Sequence, residues 1–261
     1  MSGSGGRRLR HRGLSPQPAR GRKPRPRPRG ESVSRPLRAD GGRGRRALAL
    51  PLDLCDRSSA VAALERALDE WGRIDVLVNN AVYVEPASTV PLLEADPEGL
   101  LRLLDANVVT QTVLAQRAAE HMLDRGGGRI VNMVSISGRE DPRGPAGQGG
   151  WAYGYAIHKA ALMRMAGVLQ VELGERGIVA FSLEPGGVLT EAVKSMFPLD
   201  VLKKTFERGD YLVTEDVPAQ AVVWLASAPE AAELSGRIID AETLCRERGL
   251  LPDDRIVMQL D

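Results

Sequence analysis

From residue 46 onward the apolar positions fall into two alternating spacings. Short continuous apolar runs at 47–54 (ALALPLDL), 74–82 (IDVLVNNAV), 128–137 (GRIVNMVSIS) and 177–187 (GIVAFSLEPGG) predict buried parallel strands. Between them the apolar residues recur every three to four positions. In 58–72 these are Val61, Leu64, Leu68 and Trp71, with Ser58 or Ser59 as the expected N-cap and Gly72 as the stop. A long helix is predicted over 96–123, with Asp96 as its cap, Pro97 in its first turn and Asn107 in its middle. Another is predicted over 152–173. Strands alternating with helices imply an α/β fold, a Rossmann-like doubly wound parallel sheet with right-handed crossovers.

Residues 1–45 follow neither spacing. Stretches such as GRKPRPRPRG offer nothing from which to build a strand or an amphipathic helix, so a disordered Arg/Pro/Gly-rich tail is expected, with the folded unit in 46–261. The charge divides at the same place. Residues 1–46 carry 14 Arg and one Lys against Glu31 and Asp40, a net of +13, which leaves −12 for the remainder of a chain whose total is only +1. Such a tail could bind phosphate backbones without sequence preference, and it equally fits a GC-rich coding stretch read out of frame. A mitochondrial presequence is disfavoured, because so many Pro and Gly break the helix it needs.

The rest of the composition narrows the classes. A length of 261 residues with 43% hydrophobic content suffices for one large domain plus a tail. No run of eighteen apolar residues occurs, so no membrane span is expected. Cys55 and Cys245 match no metal-ligand spacing, and a cytoplasmic location is the default.

Candidate chemistry concentrates in YGYAIHK, residues 153–159. On a helix Tyr155 and Lys159 lie about 40° from alignment, whereas Tyr153 and Lys159 lie about 120° apart. An ammonium beside a phenol favours the phenolate, which makes a proton donor or acceptor usable near neutral pH. Alone, the pattern also describes an ordinary helix start. Other polar residues, however, stand at the carboxyl ends of the predicted strands, where ligands bind in open α/β sheets: Asp53, Asn79, Asn80, Ser135 and the Pro185-Gly186 turn. Ser137 rivals Ser135, but strand alternation would point it to the opposite face. His158 has no second histidine or spaced carboxylate to support a metal site, and is expected at the helix surface or beside a cofactor. Tyr153 is expected to form a pocket wall.

Together these residues resemble the short-chain dehydrogenase/reductase family over about residues 43 to 240. Asp53 and Leu54, closing LPLDL, match the positions beside the adenine ring, and Asn79, Asn80 and Ala81 match NNAG. Asn107, Ser135, Tyr155 and Lys159 match the catalytic tetrad, and PGGVLT, with Pro185, Gly186, Val188 and Thr190, matches the loop beside the nicotinamide. TEDVPAQAVVWLAS and SGRIID resemble the C-terminal helix and last strand. The resemblance implies an oxidoreductase that interconverts a small-molecule alcohol and a carbonyl with NAD or NADP. In it Tyr155 moves the proton and Lys159 lowers the tyrosine pKa and holds the ribose. Ser135 donates to the substrate oxygen, and Asn107 holds a water. A homo-oligomer, dimer or tetramer, is implied, and nucleic acid is not an expected partner.

The chain also departs from the family. The first strand, the TGxxxGxG turn, its helix and the second strand have no counterpart, since neither GSGG (3–6) nor GGRGRR (41–46) sits between an apolar strand and an apolar helix. That leaves a non-catalytic remnant, or a protein working through its tail, as the alternative. IDVLVNN should then present an unpaired edge. Val82 replaces the glycine of NNAG, REDPRGPAGQGGWAYG is expected to line the substrate mouth, and Asp240-Ala241-Glu242 replaces a glycine-rich end.

Overall fold

The computed structural model of the protein describes residues 46–188, 190 and 212–256. The reading of 1–45 as a disordered tail therefore lies outside the described residues. Four strands form one sheet: β1 (Val76–Asn79), β2 (Gly128–Met133), β3 (Ile178–Glu184) and β6 (Ile238–Asp240), in the order β1-β2-β3-β6 and all parallel. A minor pair, β4 (Gly187–Val188) and β5 (Leu212–Val213), follows the end of β3. The helices are α1 (Arg57–Trp71), α2 (Pro97–Leu104), α3 (Gln111–Leu123), α4 (Tyr153–Leu173), α5 (Asp216–Ser227) and α6 (Ala241–Arg248).

Alternation along the strands explains why the sheet is covered on both faces. Ile130 of β2 and Ile178 and Ala180 of β3 pack with Ala60 and Leu64 of α1, Leu114, Ala118 and Met122 of α3, and Ala166 of α4. Their neighbours Val131, Phe181 and Leu183 point the other way, onto Val217, Ala221 and Leu225 of α5 and Leu244 of α6. Each fully buried Ile, Leu or Phe here contributes on the order of 1.5–3 kcal/mol. No described helix is long and apolar enough to cross a membrane.

Several boundaries differ from those the spacing predicts. Residues 47–54 are irregular, and Leu54 is their only buried residue. A parallel strand draws its hydrogen bonds from neighbours, and among the described residues no strand lies on the outer side of β1. Among the described residues β1 ends the sheet, where an unpaired edge was expected, and Val78 is 38% exposed. Helix α1 is capped by Asp56, whose carboxylate accepts from Ser58 N and Ser59 N, so Ser58 and Ser59 belong to the first turn instead. Asp wins there because its charge also suits the positive end of the helix. Asp96 caps α2 as expected, accepting from Glu98 N and Gly99 N. The predicted helix over 96–123 does run without a break, but Asp105–Thr110 is wound as a π-helix between α2 and α3, and Asn107 lies in that wider turn. The strands predicted over 74–82, 128–137 and 177–187 are shorter because the chain leaves the sheet at its polar ends. Asp240 accepts from Thr243 N at 2.7 Å and starts α6 where a glycine-rich end was the family pattern.

Candidate active site

The in-register parallel strands bring their carboxyl ends to one rim. Asn79 lies opposite Asn132, Met133 opposite Leu183, and Glu184 opposite Asp240. Each strand then delivers a turn to that rim. After β1 come Asn80 and Ala81, both exposed; after β2 comes the tight turn Ile136–Gly138; after β3 come Pro185 and Gly186.

Helix α4 supplies the titratable pair. Tyr155 is partly buried, and the Ser135 hydroxyl stands near enough to its phenol to favour the phenolate. Lys159 is 8% exposed, its Nζ donates to the Met133 carbonyl at 2.8 Å, and the same Nζ stands 6.0 Å from the centre of the Tyr155 ring. Ser135, Tyr155 and Lys159 thus meet where the end of β2 abuts the first turns of α4. The electrostatics differ from the expectation that Lys159 lowers the tyrosine pKa. Burial raises the Tyr155 pKa above its ordinary 10.0, and the Ser135 hydroxyl pulls it only partly back. Burial also lowers Lys159, to about 8. The ammonium is held by the backbone of β2 rather than by the phenol, which is why its influence on Tyr155 is weak.

Ser137 takes a part that strand alternation hides. Because β2 ends at Met133, residues 136–138 form a 3-10 turn and Ser137 folds back. Its backbone N and its Oγ both donate to Ser135 Oγ, at 3.3 and 3.1 Å. His158 is likewise not at the helix surface. It is 1% exposed, with Nδ1 3.0 Å from the Gly154 carbonyl, Nε2 without a partner, and its ring edge-on to Tyr155 at 5.2 Å between centroids. Burial lowers its pKa to about 4, so the imidazole is neutral. Among the described residues no group of three metal-ligating side chains occurs.

The other candidate residues shape the surroundings. Asn107 is buried, and its amide is committed at both ends: Oδ1 accepts from Tyr83 N at 2.7 Å and Nδ2 donates to Tyr83 O at 2.9 Å. Its side chain therefore pins the segment leaving β1. Gln111 adds a bond to Ala81 O at 2.9 Å, and Asn79 Nδ2 donates to Asn132 Oδ1 at 2.8 Å beneath the rim. Further on, the Tyr83 hydroxyl donates to Glu85, which Arg102 also grips; the hydrogen bond to Glu85 raises the Tyr83 pKa to about 12. Asp53 precedes α1, exposed, with Oδ1 accepting from Cys55 N at 2.9 Å. Val188 joins the β4–β5 pair and Thr190 follows it, whereas Leu189 lies outside the described residues. The 139–152 segment lines a cleft of about 620 Å³ together with Tyr153, Ile157 and Leu92, and Tyr153 forms part of its wall as expected.

A family model for short chain dehydrogenases matches residues 27–199. Short chain dehydrogenase mpl6 of Monascus purpureus is 32% identical over 219 residues, 82% of this chain and 69% of the relative. Among solved structures, a 7 alpha-hydroxysteroid dehydrogenase complexed with NADH and 7-oxo glycochenodeoxycholic acid has a TM-score of 0.65 and 26% identity, covering 75% of this chain and 72% of that one. A structure assigned as an NAD(P) dependent gluconate 5-dehydrogenase from Beutenbergia cavernae, with NADP bound at low occupancy, has the same TM-score and 27% identity, with 76% of both chains covered. With a family match spanning more than half its length, and with that fold and rim of residues, the chain belongs to the short chain dehydrogenase family.

Proposed function

We propose that the protein is an NAD(P)-dependent oxidoreductase interconverting an alcohol and a carbonyl, with Tyr155 as the acid and base. The observation that carries this reading is the gathering of Lys159, whose Nζ stands 6.0 Å from the centre of the Tyr155 ring and is bonded to Met133 O, with Tyr155 and the Ser135 turn at the carboxyl rim of a parallel sheet. Two of the solved relatives hold NADH or NADP.

The residues fit the nicotinamide end of such a cofactor. Lys159 spends one donor on Met133 O and keeps others for ribose hydroxyls, and the Pro185-Gly186 turn, with Gly186 at φ 79°, brings backbone close to the rim. Val188, Thr190, Asn80, Ala81, Asp53 and Leu54 complete the set assigned to cofactor contact. Among the described residues no strand-glycine turn-helix unit is available to cradle a pyrophosphate. When bound, the nicotinamide supplies or accepts the hydride.

The chain's own residues handle the proton and the charge on oxygen. Ser137 donates into Ser135 Oγ, so the Ser135 proton is directed away from it, toward the phenol or a substrate oxygen placed beside both. Tyr155, kept protonated by burial, gives its proton to that oxygen in reduction and recovers one in oxidation. Lys159 steadies the phenolate that forms in between. Asn107 keeps residues 81–85 in place as the facing wall, and a water in the proton relay is assigned to the same turn. The reading includes a homo-oligomer, supported by the bare apolar stripe of α4, where Val168 is 50% and Val171 86% exposed.

The test is a titration of the purified chain with NADH and with NADPH, followed by turnover of an alcohol and carbonyl panel by wild type and Tyr155→Phe. Saturable cofactor binding with turnover lost only in the variant supports the reading. Binding without any Tyr155-dependent turnover, or no binding by the folded chain, refutes it.

A further inference from the structure

The turn that carries Ser135 is gripped from two sides. On one side it rests on α4: a Cβ at Gly138 would come within 2.9 Å of Ala160 N and 3.0 Å of the Lys159 carbonyl carbon, so only glycine allows that approach. On the other side the next residue, Arg139, reaches the end of β3. Its Nε and Nη2 donate to Glu184 Oε2 at 3.3 and 3.2 Å, while Nη1 donates to Glu140 Oε1 at 3.0 Å. No step of the proposed chemistry employs either Arg139 or Glu184.

Glu184 is an unusual place for a carboxylate. Its side chain is 8% exposed, and it lies opposite Asp240 in the β3–β6 ladder, immediately before Pro185. Burial raises its pKa and Asp240 adds to that, against the lowering effect of Arg139. A carboxylate buried beside a second acid is costly to keep unless a cation faces it. Arg139 supplies that cation from the serine turn. The Arg139 side chain is 43% exposed, so its position is set by the buried partner and not by packing of its own. Strand β3 is in turn fixed to β2 through Met133↔Leu183 and the bond from Val134 N to Leu183 O at 2.9 Å.

We propose that Glu184 and Arg139 are positioning residues: by holding Arg139 to the end of β3, Glu184 sets the separation of the Ser135–Gly138 turn from α4, and with it the place of the Ser135 hydroxyl relative to Tyr155. This deepens the oxidoreductase reading and rests on it for its catalytic consequence. The effect on Ser135 and Tyr155, however, can be read without cofactor or turnover.

The experiment uses protein labelled with carbon-13 at tyrosine Cζ. The Tyr155 resonance is identified by its disappearance in Tyr155→Phe, and its shift on Ser135→Ala reports the loss of the serine hydroxyl beside the phenol. Glu184→Gln, nearly isosteric, and Arg139→Ala, at a partly exposed position, are expected to shift it in the same direction, and the double variant no further than either alone. Arg139→Lys, which restores the charge without the guanidinium fork, should recover part of the shift. In turnover the single variants should lose about 5–10-fold in kcat with little change in KM for the cofactor. A Tyr155 resonance at its wild-type position in both Glu184→Gln and Arg139→Ala overturns the proposal, as does wild-type kcat in both. If the wild type shows no turnover at all, the oxidoreductase reading fails while the resonance still decides whether the pair positions Ser135.

Discussion

Ser137 donates twice to Ser135 Oγ, through its backbone N at 3.3 Å and its own hydroxyl at 3.1 Å. An oxygen that accepts two hydrogen bonds from one side has its proton directed to the other, and on that side stands Tyr155. The hydroxyl of Ser137 is therefore an orienting group. Ser137→Ala should lower kcat by about 3–10-fold, the effect of one ordinary hydrogen bond, whereas Ser135→Ala should cost about 10²–10³, the effect of removing a donor to the developing oxyanion. Steady-state kinetics of the two variants check this, and equal losses would contradict the orienting role.

Tyr155→Phe should abolish turnover and leave the fold intact, because the ring keeps its edge-on contact with His158 and loses only the hydroxyl. The raised Tyr155 pKa also sets the pH response. Carbonyl reduction, which needs the protonated phenol, should stay level up to pH 10, while alcohol oxidation, which needs the base, should rise throughout that range. A bell-shaped reduction profile centred near neutrality would show that another group carries the proton.

His158 should make the fold acid-sensitive. Its folded pKa of about 4 lies below its ordinary 6.5, so the unfolded chain binds the proton more readily. The stability it contributes is complete above pH 6.5 and is lost as pH falls through 4, up to about 3 kcal/mol. Denaturant unfolding of wild type and His158→Gln across that window is the measurement. The variant should show the shallower decline.

Lys159 should act in the same sense at higher pH. Its folded value of about 8, depressed by burial, lies below the ordinary 10.5, so its contribution is full above 10.5 and is lost as pH falls through 8. In Lys159→Met the corresponding rise in stability between pH 8 and 10.5 should disappear, together with turnover. Persistence of the rise in that variant would assign it to another group.

Asn107 makes two hydrogen bonds to the backbone of Tyr83. Asn107→Leu leaves that buried backbone unpaired and should cost about 2–4 kcal/mol of stability, and it should raise hydrogen exchange at Tyr83 above all. Unchanged exchange there would show that the wall beside the site is held by other contacts.

The sequence by itself determined the alternation of strands and helices, the two-sided burial of β2 and β3, and the pairing of Tyr155 with Lys159, to which the family resemblance added Ser135. Apart from Ser135, each of these follows from periodicity: alternation along a strand and a four-residue step along a helix are local geometry, fixed before any tertiary contact forms. The edge at β1 was legible from the family resemblance, since the strands without a counterpart here sit at the centre of the family's sheet. Residues 47–54 were misleading because an apolar run becomes a strand only when a neighbour accepts its hydrogen bonds, and none of the described strands does. Only the tertiary structure decided the remainder. Lys159 is held by Met133 O instead of by the phenol, His158 is buried, and Ser137 folds back onto Ser135, because the chain leaves the sheet at Met133 and packs Gly138 onto α4. The sign of the Tyr155 shift belongs to this group as well, since desolvation depends on what surrounds the ring, and residues distant in the chain supply those surroundings.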